Sequence, residues 1–415
     1  MPKFHTASIR AVALVGHGGV GKTTLAEALL FRAGAIPAVG SVEKGSTVCD
    51  FDAQEKAAGH SLQSALVNFA WEDVHVHIAD TPGYPDFAGQ AMATLAGVDT
   101  VVVVINAQTG IELMTERMMR AAANRGLARM IVINKIDAEN LDLAGLMADI
   151  RERFGLACKF LDLPTPDHGK VVEVLEHDSG EADIDSVDHA HRELIDQLVE
   201  EDESLMERYL EDGQDPTAGE LHAPFEKALR EGHLIPVLFT SAKTGAGIDE
   251  LLHVLATLAP NPGEGNLPPF FKGEPGGDAE AFQREPDAAK HVLAHVFKVI
   301  VDPYMGKVSV FRVHQGTIRK DSQLFVGDGK KAFKVGHLYQ LQGKDYVEVD
   351  ELLPGDIGAV AKVEDIEFDA VLHDSHEEDH IYLKPLEFPR PMQGLAVETQ
   401  KKGDEQRLFE ILRKL

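Results

Sequence analysis

The stretch Leu14-Val15-Gly16-His17-Gly18-Gly19-Val20-Gly21-Lys22-Thr23-Thr24-Leu25 constrains this chain more than any other. Gly16, Gly21, Lys22 and Thr23 fill the Gly-x-x-x-x-Gly-Lys-Ser/Thr pattern of a phosphate-cradling loop. Residues 9–15 are apolar except for Arg10 and suit a buried strand, and residues 25–32, with leucines at 25, 29 and 30, suit a helix. In that context the glycines let backbone N–H groups converge on an oxyanion, and the helix N-terminus adds partial positive charge. Lys22 is expected to reach the outer phosphates and the Thr23 hydroxyl to bind Mg²⁺, with His17, Gly18, Gly19, Val20 and Thr24 completing the nucleotide-facing stretch. The competing reading is an ordinary Gly-rich turn.

Three further stretches weigh against the plain turn. Val74, Val76 and Ile78 alternate along a strand that ends in Asp80-Thr81-Pro82-Gly83. Asp80 then stands at a strand's carboxyl end, where ligands bind in open α/β sheets, and can hold Mg²⁺ through water, while the Gly83 N–H can approach a γ-phosphate. Alone this is also a common turn composition. Residues 101–105 read as a strand buried on both faces, and residues 111–124 as a helix closed by Gly126. Residues 130–133 form another buried strand that runs into Asn134-Lys135-Ile136-Asp137. The Asp137 carboxylate can accept hydrogen bonds from the N1 and N2 donors of guanine, Asn134 can bridge loop and base, and the Lys135 stem can lie on the ring. Adenine lacks that donor pair and would leave the carboxylate unpartnered, a discrimination of roughly 10⁴-fold or more. Thr240-Ser241-Ala242-Lys243 follows a strand at 235–239, with Gly245 and Gly247 opening a helix at Ile248. Backbone N–H groups there can contact guanine O6.

The chain has 415 residues, more than one core holds, so two or three domains are expected. A formal charge of −28 repels polyphosphate at long range and limits nucleic-acid contact to local basic patches; solubility is the simpler use of that charge. Cys49 and Cys158 are too few for a disulfide framework or a zinc site, which fits a reducing cytosol. Apolar runs such as 101–105 are far short of a membrane span, and the N-terminus, with Arg10 in its apolar segment, does not read as a signal peptide.

Between these stretches, residues 39–59 hold Glu43, Lys44, Asp50, Asp52, Glu55 and Lys56 without a clear period and read as a long mobile loop. An acidic subdomain, about 160–235, is inserted before the last signature. In it Leu194, Leu198, Leu205 and Tyr209 could form one apolar side, beneath the charged face of Glu200-Glu201-Asp202-Glu203. Residues 260–286, rich in Pro and Gly, read as a domain linker. Beyond it the period becomes two, over residues 291–300, 308–313, 323–326, 334–338 and 357–363, which predicts an antiparallel barrel with His295, His314 and His337 as structural residues. From Met392 a strand-like run at 394–397 leads to a helix over 404–415. One strand and one helix make no core, so the chain is expected to be a fragment, or else to dock this end on the barrel.

Four guanine-nucleotide signatures, an acidic insert before the last, then a barrel: the whole chain resembles elongation factor G and its relatives among ribosome-dependent translational GTPases. The likeness extends to Phe297-Lys298 through Asp302-Pro303, Met305-Gly306-Lys307, Phe311-Arg312-Val313 with Gly316-Thr317, Gly355-Asp356-Ile357, and Pro391 through Ala396-Val397-Glu398. It implies an α/β P-loop GTPase domain over 1–260 with an inserted α/β subdomain, a linker and β-barrel over 261–388, and the truncated start of a third, α+β domain over 389–415. It also implies GTP/GDP and Mg²⁺ as ligands, the ribosome (RNA and proteins) as partner of the full-length protein, no membrane, a monomer and a cytoplasmic location. The Gly16-His17 start, the 43–50 segment and Tyr84 resemble the elongation factor G-like branch.

Departures from the family pattern fall next to the chemistry. Tyr84 stands where the family places a His that positions the attacking water, and a phenol of ordinary pKa near ~10 is a poor proton acceptor at neutral pH. The family's Arg-Gly-Ile-Thr is Ala58-Gly59-His60-Ser61, where Ser61 keeps the hydroxyl offered to Mg²⁺ and His60 replaces one gate residue. Gly18 replaces the other gate residue, and Gly19 replaces an Asp linked to monovalent-cation assistance. Lys22, Gly83, Tyr84 and His60 are therefore the catalytic candidates. His60 either supplies the imidazole that Tyr84 cannot, or is tolerated while hydrolysis is slow. The expected activity is GTP hydrolysis, slow without the ribosome; a GTP/GDP-sensing binding module and a ribosome-protection or release-type GTPase are the alternatives. A P-loop ATPase or kinase is disfavoured by Asn134 and Asp137.

Overall fold

A computed structural model describes residues 4–212, 215–266, 269–388 and 394–412. The first unit is a seven-stranded sheet of order β2-β3-β1-β4-β5-β9-β6. Its strands are β1 (Ile9–Val15), β2 (Ala65–Trp71), β3 (Val74–Asp80), β4 (Thr100–Asn106), β5 (Ala128–Asn134), β6 (Cys158–Phe160) and β9 (Ile235–Thr240), all parallel except β2. β1 and β4 are buried at every position, as interior parallel strands covered on both faces must be. Register aligns the carboxyl ends: Leu14 faces Asp80, Asn106 faces Asn134, and Asn134 faces Thr240. Helices α1 (Lys22–Arg32), α3 (Ala88–Thr94), α4 (Leu113–Asn124), α5 (Leu143–Phe154) and α9 (Ile248–Thr257) link the strands.

One expectation is corrected here. Residues 39–59 are no featureless loop, for they contain α2 (Ala53–Ala58). Asp52 caps it by accepting from Gln54 N at 2.7 Å, and Gly59 closes it in the left-handed region at φ 70°. Cys158–Phe160 forms the last strand of the main sheet, just where the insert was expected to start. The rest of the insert is a short ribbon of β7 (Asp162–Pro164) and β8 (Val171–Glu173), with α6 (Val187–Val199), α7 (Glu203–Asp212) and α8 (Ala218–Glu231). Leu194, Leu198 and Leu205 are buried, although they belong to two helices.

The residues read as a linker also carry structure. β10 (Phe270–Lys272) and β11 (Glu280–Phe282) form a three-stranded sheet with β22 (Ile381–Leu383). The period-two region is an eight-stranded antiparallel half-barrel of order β16-β15-β21-β12-β13-β20-β17-β18. Its strands are β12 (Leu293–Asp302), β13 (Gly306–Gln315), β15 (Gln323–Val326), β16 (Phe333–Lys334), β17 (Tyr339–Gln342), β18 (Asp345–Glu348), β20 (Ile357–Ala361) and β21 (Val371–His373). A separate ribbon pairs β14 (Ile318–Arg319) with β19 (Glu351–Leu352). Both faces of the β12–β13 hairpin are used. Ala294, Val296, Phe311 and Val313 fill the half-barrel, while Leu293, Phe297, Val308 and Val310 join the core cluster of the first unit.

Polar ties follow the same seam. The Arg312 guanidinium, 2% exposed, donates to Gly97 O at 2.9 Å and pairs with Asp99. Asn68 N donates to Gln342 Oε1 at 2.9 Å, Asn68 Nδ2 to Leu341 O at 3.0 Å, and Lys298 Nζ to Ser64 O. His295 and His314 are buried in this packing, whereas the His337 ring is exposed and pairs with Glu348 at 2.9 Å.

The strand expected at 394–397 is not formed among the described residues, and α10 (Glu405–Leu412) follows it with Phe409 exposed. Residues 389–393, which include Pro391 and Met392, and 413–415 lie outside the described residues. Among the described residues no helix is long and apolar enough to cross a membrane.

Candidate nucleotide-binding site

The aligned strand ends bring the sequence-read stretches together. Gly21 precedes α1 at φ 96°, and a Cβ there would come 2.6 Å from Asn134 Nδ2, so the loop needs glycine where Asn134 approaches. Asn134 is the pin of the base side: Nδ2 donates to Val20 O at 3.1 Å, while Oδ1 accepts from Ala242 N at 3.1 Å and Thr240 Oγ1 at 3.3 Å. The Ala242 N–H, one of the groups expected at guanine O6, is thus directed at Asn134. Ser241 Oγ donates to Asp137 Oδ1 at 2.7 Å, and Lys243 Nζ lies 3.6 Å from Asp137 Oδ2. Lys135, at φ 68°, donates through Nζ to Gly19 O at 2.7 Å and spans the gap between base side and loop.

On the phosphate side, Lys22 Nζ donates to His17 O at 2.7 Å and Gly16 O at 3.1 Å. A Cβ on Gly83 would come 2.4 Å from that nitrogen, so this glycine backbone lies directly on the loop. Thr23 Oγ1 donates to Asp80 Oδ2 at 2.7 Å and lies 3.3 Å from Ser61 Oγ, which draws the three expected metal-binding residues together. Asp80 Oδ1 and both oxygens of Asp50 are buried without a well-formed hydrogen bond, although the Ser61 hydroxyl lies close enough to Asp50 to favour its charged form. Burial, and then the nearby Asp50 charge, pushes the Asp80 carboxyl up, while burial pulls the Lys22 ammonium down. Two carboxylates and two hydroxyls, several oxygens of them orphaned, are a donor set that suits a hard divalent cation.

Asp50 was not among the sequence candidates, and neither were the two glutamates that hold its segment in place. Glu27 of α1, fully buried, accepts from Gly40 N at 2.8 Å and from Val48 N. Glu55 of α2 accepts from Leu62 N at 3.0 Å and Gln63 N at 3.1 Å, and so sets up Ser61. The available signal was a glutamate, Glu27, among the leucines of a short helix, where an ion without a partner is costly.

Tyr84 and His60 do meet. Their ring centroids are 4.6 Å apart, and the phenol ring covers Gly18 so closely that a Cβ there would sit 2.6 Å from Tyr84 Cζ. His60 Nδ1 lies 3.2 Å from Ser61 O. The His17 ring approaches Tyr84 edge-on at 6.2 Å, and its Nε2 faces Glu112 Oε1 at 3.6 Å.

Residues 7–261 match the elongation factor Tu GTP-binding domain, and residues 291–374 match elongation factor G domain 2. The chain belongs to the elongation factor G family of translational GTPases. It is 34% identical to the elongation factor G-like protein of two Mycobacterium tuberculosis strains (CDC 1551 / Oshkosh and H37Rv), with 96% of this chain and 59% of those proteins covered. A crystal structure from Thermus thermophilus superposes with a TM-score of 0.83 at 31% identity, over 98% of this chain and 60% of that one. The chain therefore spans about three-fifths of the length of these family members. Membership of a translational GTPase family implies guanine-nucleotide binding.

Proposed function

We propose that this family member binds GTP and GDP with Mg²⁺, hydrolyses GTP, and acts on the ribosome as part of an elongation factor G-like translation factor, as a cytoplasmic monomer. In this reading residues 1–260 are the GTP-binding domain, 261–388 the linker and barrel, and 389–415 the opening of a third domain. The observation that carries it is the pair of buried carboxylates, Asp50 and Asp80, with oxygens that lack a well-formed hydrogen bond beside the Thr23 and Ser61 hydroxyls at the start of α1. Thr23, Ser61 and Asp80 would hold Mg²⁺ with Asp50 behind them. When bound, the ion would neutralise charge on the phosphates. Lys22 would meet the outer phosphates, the N–H groups of Gly16 to Thr24 would cradle them, and the Gly83 N–H would face the γ-phosphate. Asn134, Lys135, Asp137, Ser241, Ala242 and Lys243 would enclose the base.

Phosphoryl transfer of this kind depends on positioning, so turnover is expected to be slow until a partner fixes the segment bearing Ser61 and Tyr84. A second reading, a GTP/GDP sensor with little hydrolysis, is favoured by the Tyr84 phenol lying on Gly18 where the family pattern has an imidazole. Titration of GDP against ADP, both with Mg²⁺, tests the base assignment: GDP is expected to bind at least about 10³-fold tighter, and equal affinity overturns it. Single-turnover GTP hydrolysis with and without ribosomes separates enzyme from sensor, since only the enzyme accelerates on the ribosome. His60→Ala in the same assay assigns His60, because a change within about twofold makes it a bystander.

A further inference from the structure

A second cluster of metal-type ligands lies away from the nucleotide site, where the GTPase sheet meets the half-barrel. His75 and His77 alternate along β3 and so present both imidazoles on one face. Asp356, in the turn before β20, meets them from the other unit. His77 Nε2 lies 3.0 Å from Asp356 Oδ1, His75 Nδ1 lies 3.5 Å from the same oxygen, and one ligand atom from each of the three residues falls within 4.8 Å of the others. All three side chains are buried.

The surrounding hydrogen bonds fix the chemistry of the cluster. Asn68 Nδ2 donates to Leu341 O at 3.0 Å, so Asn68 turns its carbonyl oxygen toward His75 Nε2, 3.2 Å away. His75 must therefore carry its proton on Nε2, and a neutral His75 points the lone pair of Nδ1 at the Asp356 carboxylate. Two lone-pair atoms facing each other at 3.5 Å in a buried site repel unless a positive charge lies between them, either the second proton of an imidazolium or a metal ion. Arg312, a buried guanidinium of this seam, is already committed to Asp99 and Gly97 O.

We propose that His75 Nδ1, His77 Nε2 and Asp356 Oδ1 bind one Zn²⁺ ion that clamps β3 to the half-barrel. With Zn–N and Zn–O bonds of about 2.0–2.1 Å, neighbouring ligands of a tetrahedral ion stand about 3.3 Å apart, which the two histidine–Asp356 separations of 3.0 and 3.5 Å match, with the two histidine nitrogens held within 4.8 Å and water left for the fourth position. The outer supports of such a site are also present. Asn68 Oδ1 accepts from the far nitrogen of His75, Leu353 N donates to Asp356 Oδ2 at 2.8 Å, and the Phe4 ring stacks on His75 at 5.0 Å. Two imidazoles and a carboxylate suit borderline Zn²⁺ better than oxygen-seeking Mg²⁺, which separates this site from the one at Thr23 and Asp80.

The test uses the whole chain, stripped with a chelator and then loaded with Mg²⁺ and GDP so that the nucleotide site is filled. Dialysis against micromolar Zn²⁺ should leave one tightly held zinc per chain and raise the thermal midpoint by several degrees. Co²⁺ in its place should give the strong visible absorption of a four-coordinate site. His77→Gln and Asp356→Asn should each lose the zinc, the absorption and the thermal shift. His233→Ala, which disables an exposed Glu201–Glu231–His233 cluster, should keep all three. Failure of the wild-type chain to hold zinc, or loss of the zinc in His233→Ala, overturns the proposal. If His77→Gln and Asp356→Asn do not fold, the wild-type stoichiometry and the cobalt spectrum still decide.

Discussion

The two edges of the parallel sheet treat buried charge in opposite ways. At the carboxyl edge, Asp80 Oδ1 and both Asp50 oxygens are left without a well-formed hydrogen bond. At the amino edge, Asp99 is given the Arg312 guanidinium across the seam between the two units, and Asp356 faces two imidazoles there, with the ion proposed above between them. Buried polar atoms are nearly always satisfied in folded proteins, so three orphaned carboxylate oxygens gathered beside two hydroxyls point to something outside the chain, where lone orphans such as Thr100 Oγ1 and Asp162 Oδ2 do not. β3 runs through both regimes, with His75 and His77 against the half-barrel and Asp80 at the nucleotide site three residues beyond. A strand so placed ties the position of the half-barrel to the position of the carboxylate facing the nucleotide.

The sharpest way to break this contrast is to remove one partner at the amino edge. Asp99→Ala strands a guanidinium that is 2% exposed, and an unpaired buried charge of this kind costs about 3–5 kcal/mol. Urea unfolding should show that loss, while GDP affinity should change by less than about threefold, because Asp99 precedes β4 and the nucleotide site lies at that strand's far end. A large loss of GDP affinity in a folded Asp99→Ala would mean that the two edges are not independent.

The converse substitution is Lys22→Ala. It removes a charge-assisted contact to the outer phosphates and should weaken GDP binding by about 100-fold, about 2.7 kcal/mol, with little change in the urea midpoint. Stability should even rise slightly, since burial pulls the Lys22 ammonium down and so opposes folding with that group charged. Isothermal titration and urea curves on the same preparation check both halves.

What could be read from the sequence divides along the same line. The residues from Gly16 to Thr24 were legible because a phosphate loop is contiguous and its spacing is fixed by the geometry of one turn. Asn134, Asp137 and Ser241 were legible because each sits where a buried strand ends. Asp50 was not, since it stands among Glu43, Asp52 and Glu55 in a polar stretch and only tertiary packing buries it, to 3% exposure. The seam was illegible for a simpler reason: His77 and Asp356 are 279 positions apart, and no local pattern links one to the other. Pro and Gly made residues 260–286 look like a linker, yet β10 and β11 there are strands because β22, a hundred residues on, pairs with β10. The opposite holds at 394–397, where among the described residues an apolar run has no neighbouring strand with which to form a ladder.

Lys298 tests whether the seam senses conditions at the nucleotide side. Its ammonium donates to Ser64 O just past the Ser61 segment, and burial pulls it down to about 8. A lysine lowered in the folded state binds its proton more weakly there than in the unfolded chain, so stability rises with pH between the two values. Relative to Lys298→Met, which has no such group, the wild-type chain should gain about 2 kcal/mol between pH 7.5 and pH 9.5. Denaturant curves at the two pH values check this, and a parallel dependence in both proteins would rule Lys298 out as the source.

The smallest expected effect bears on the ring that covers the phosphate loop at the carboxyl edge. Tyr84 covers Gly18 and touches His60, and in the mechanism proposed above its phenol occupies the place from which water would be oriented. A phenol hydroxyl neither accepts a proton readily nor carries positive charge, so its loss is expected to matter little. Tyr84→Phe should therefore leave ribosome-stimulated GTP hydrolysis within about twofold, less than about 0.5 kcal/mol. Tyr84→His should raise it by about tenfold, because an imidazole can accept a hydrogen bond from water and then hold the proton. The pair is informative because the ring volume is kept in the first variant and the chemistry is changed in the second. If Tyr84→Phe instead lowers the rate by more than about tenfold, the hydroxyl itself positions water, and Tyr84 is a catalytic residue in its own right rather than a substitute with its imidazole missing.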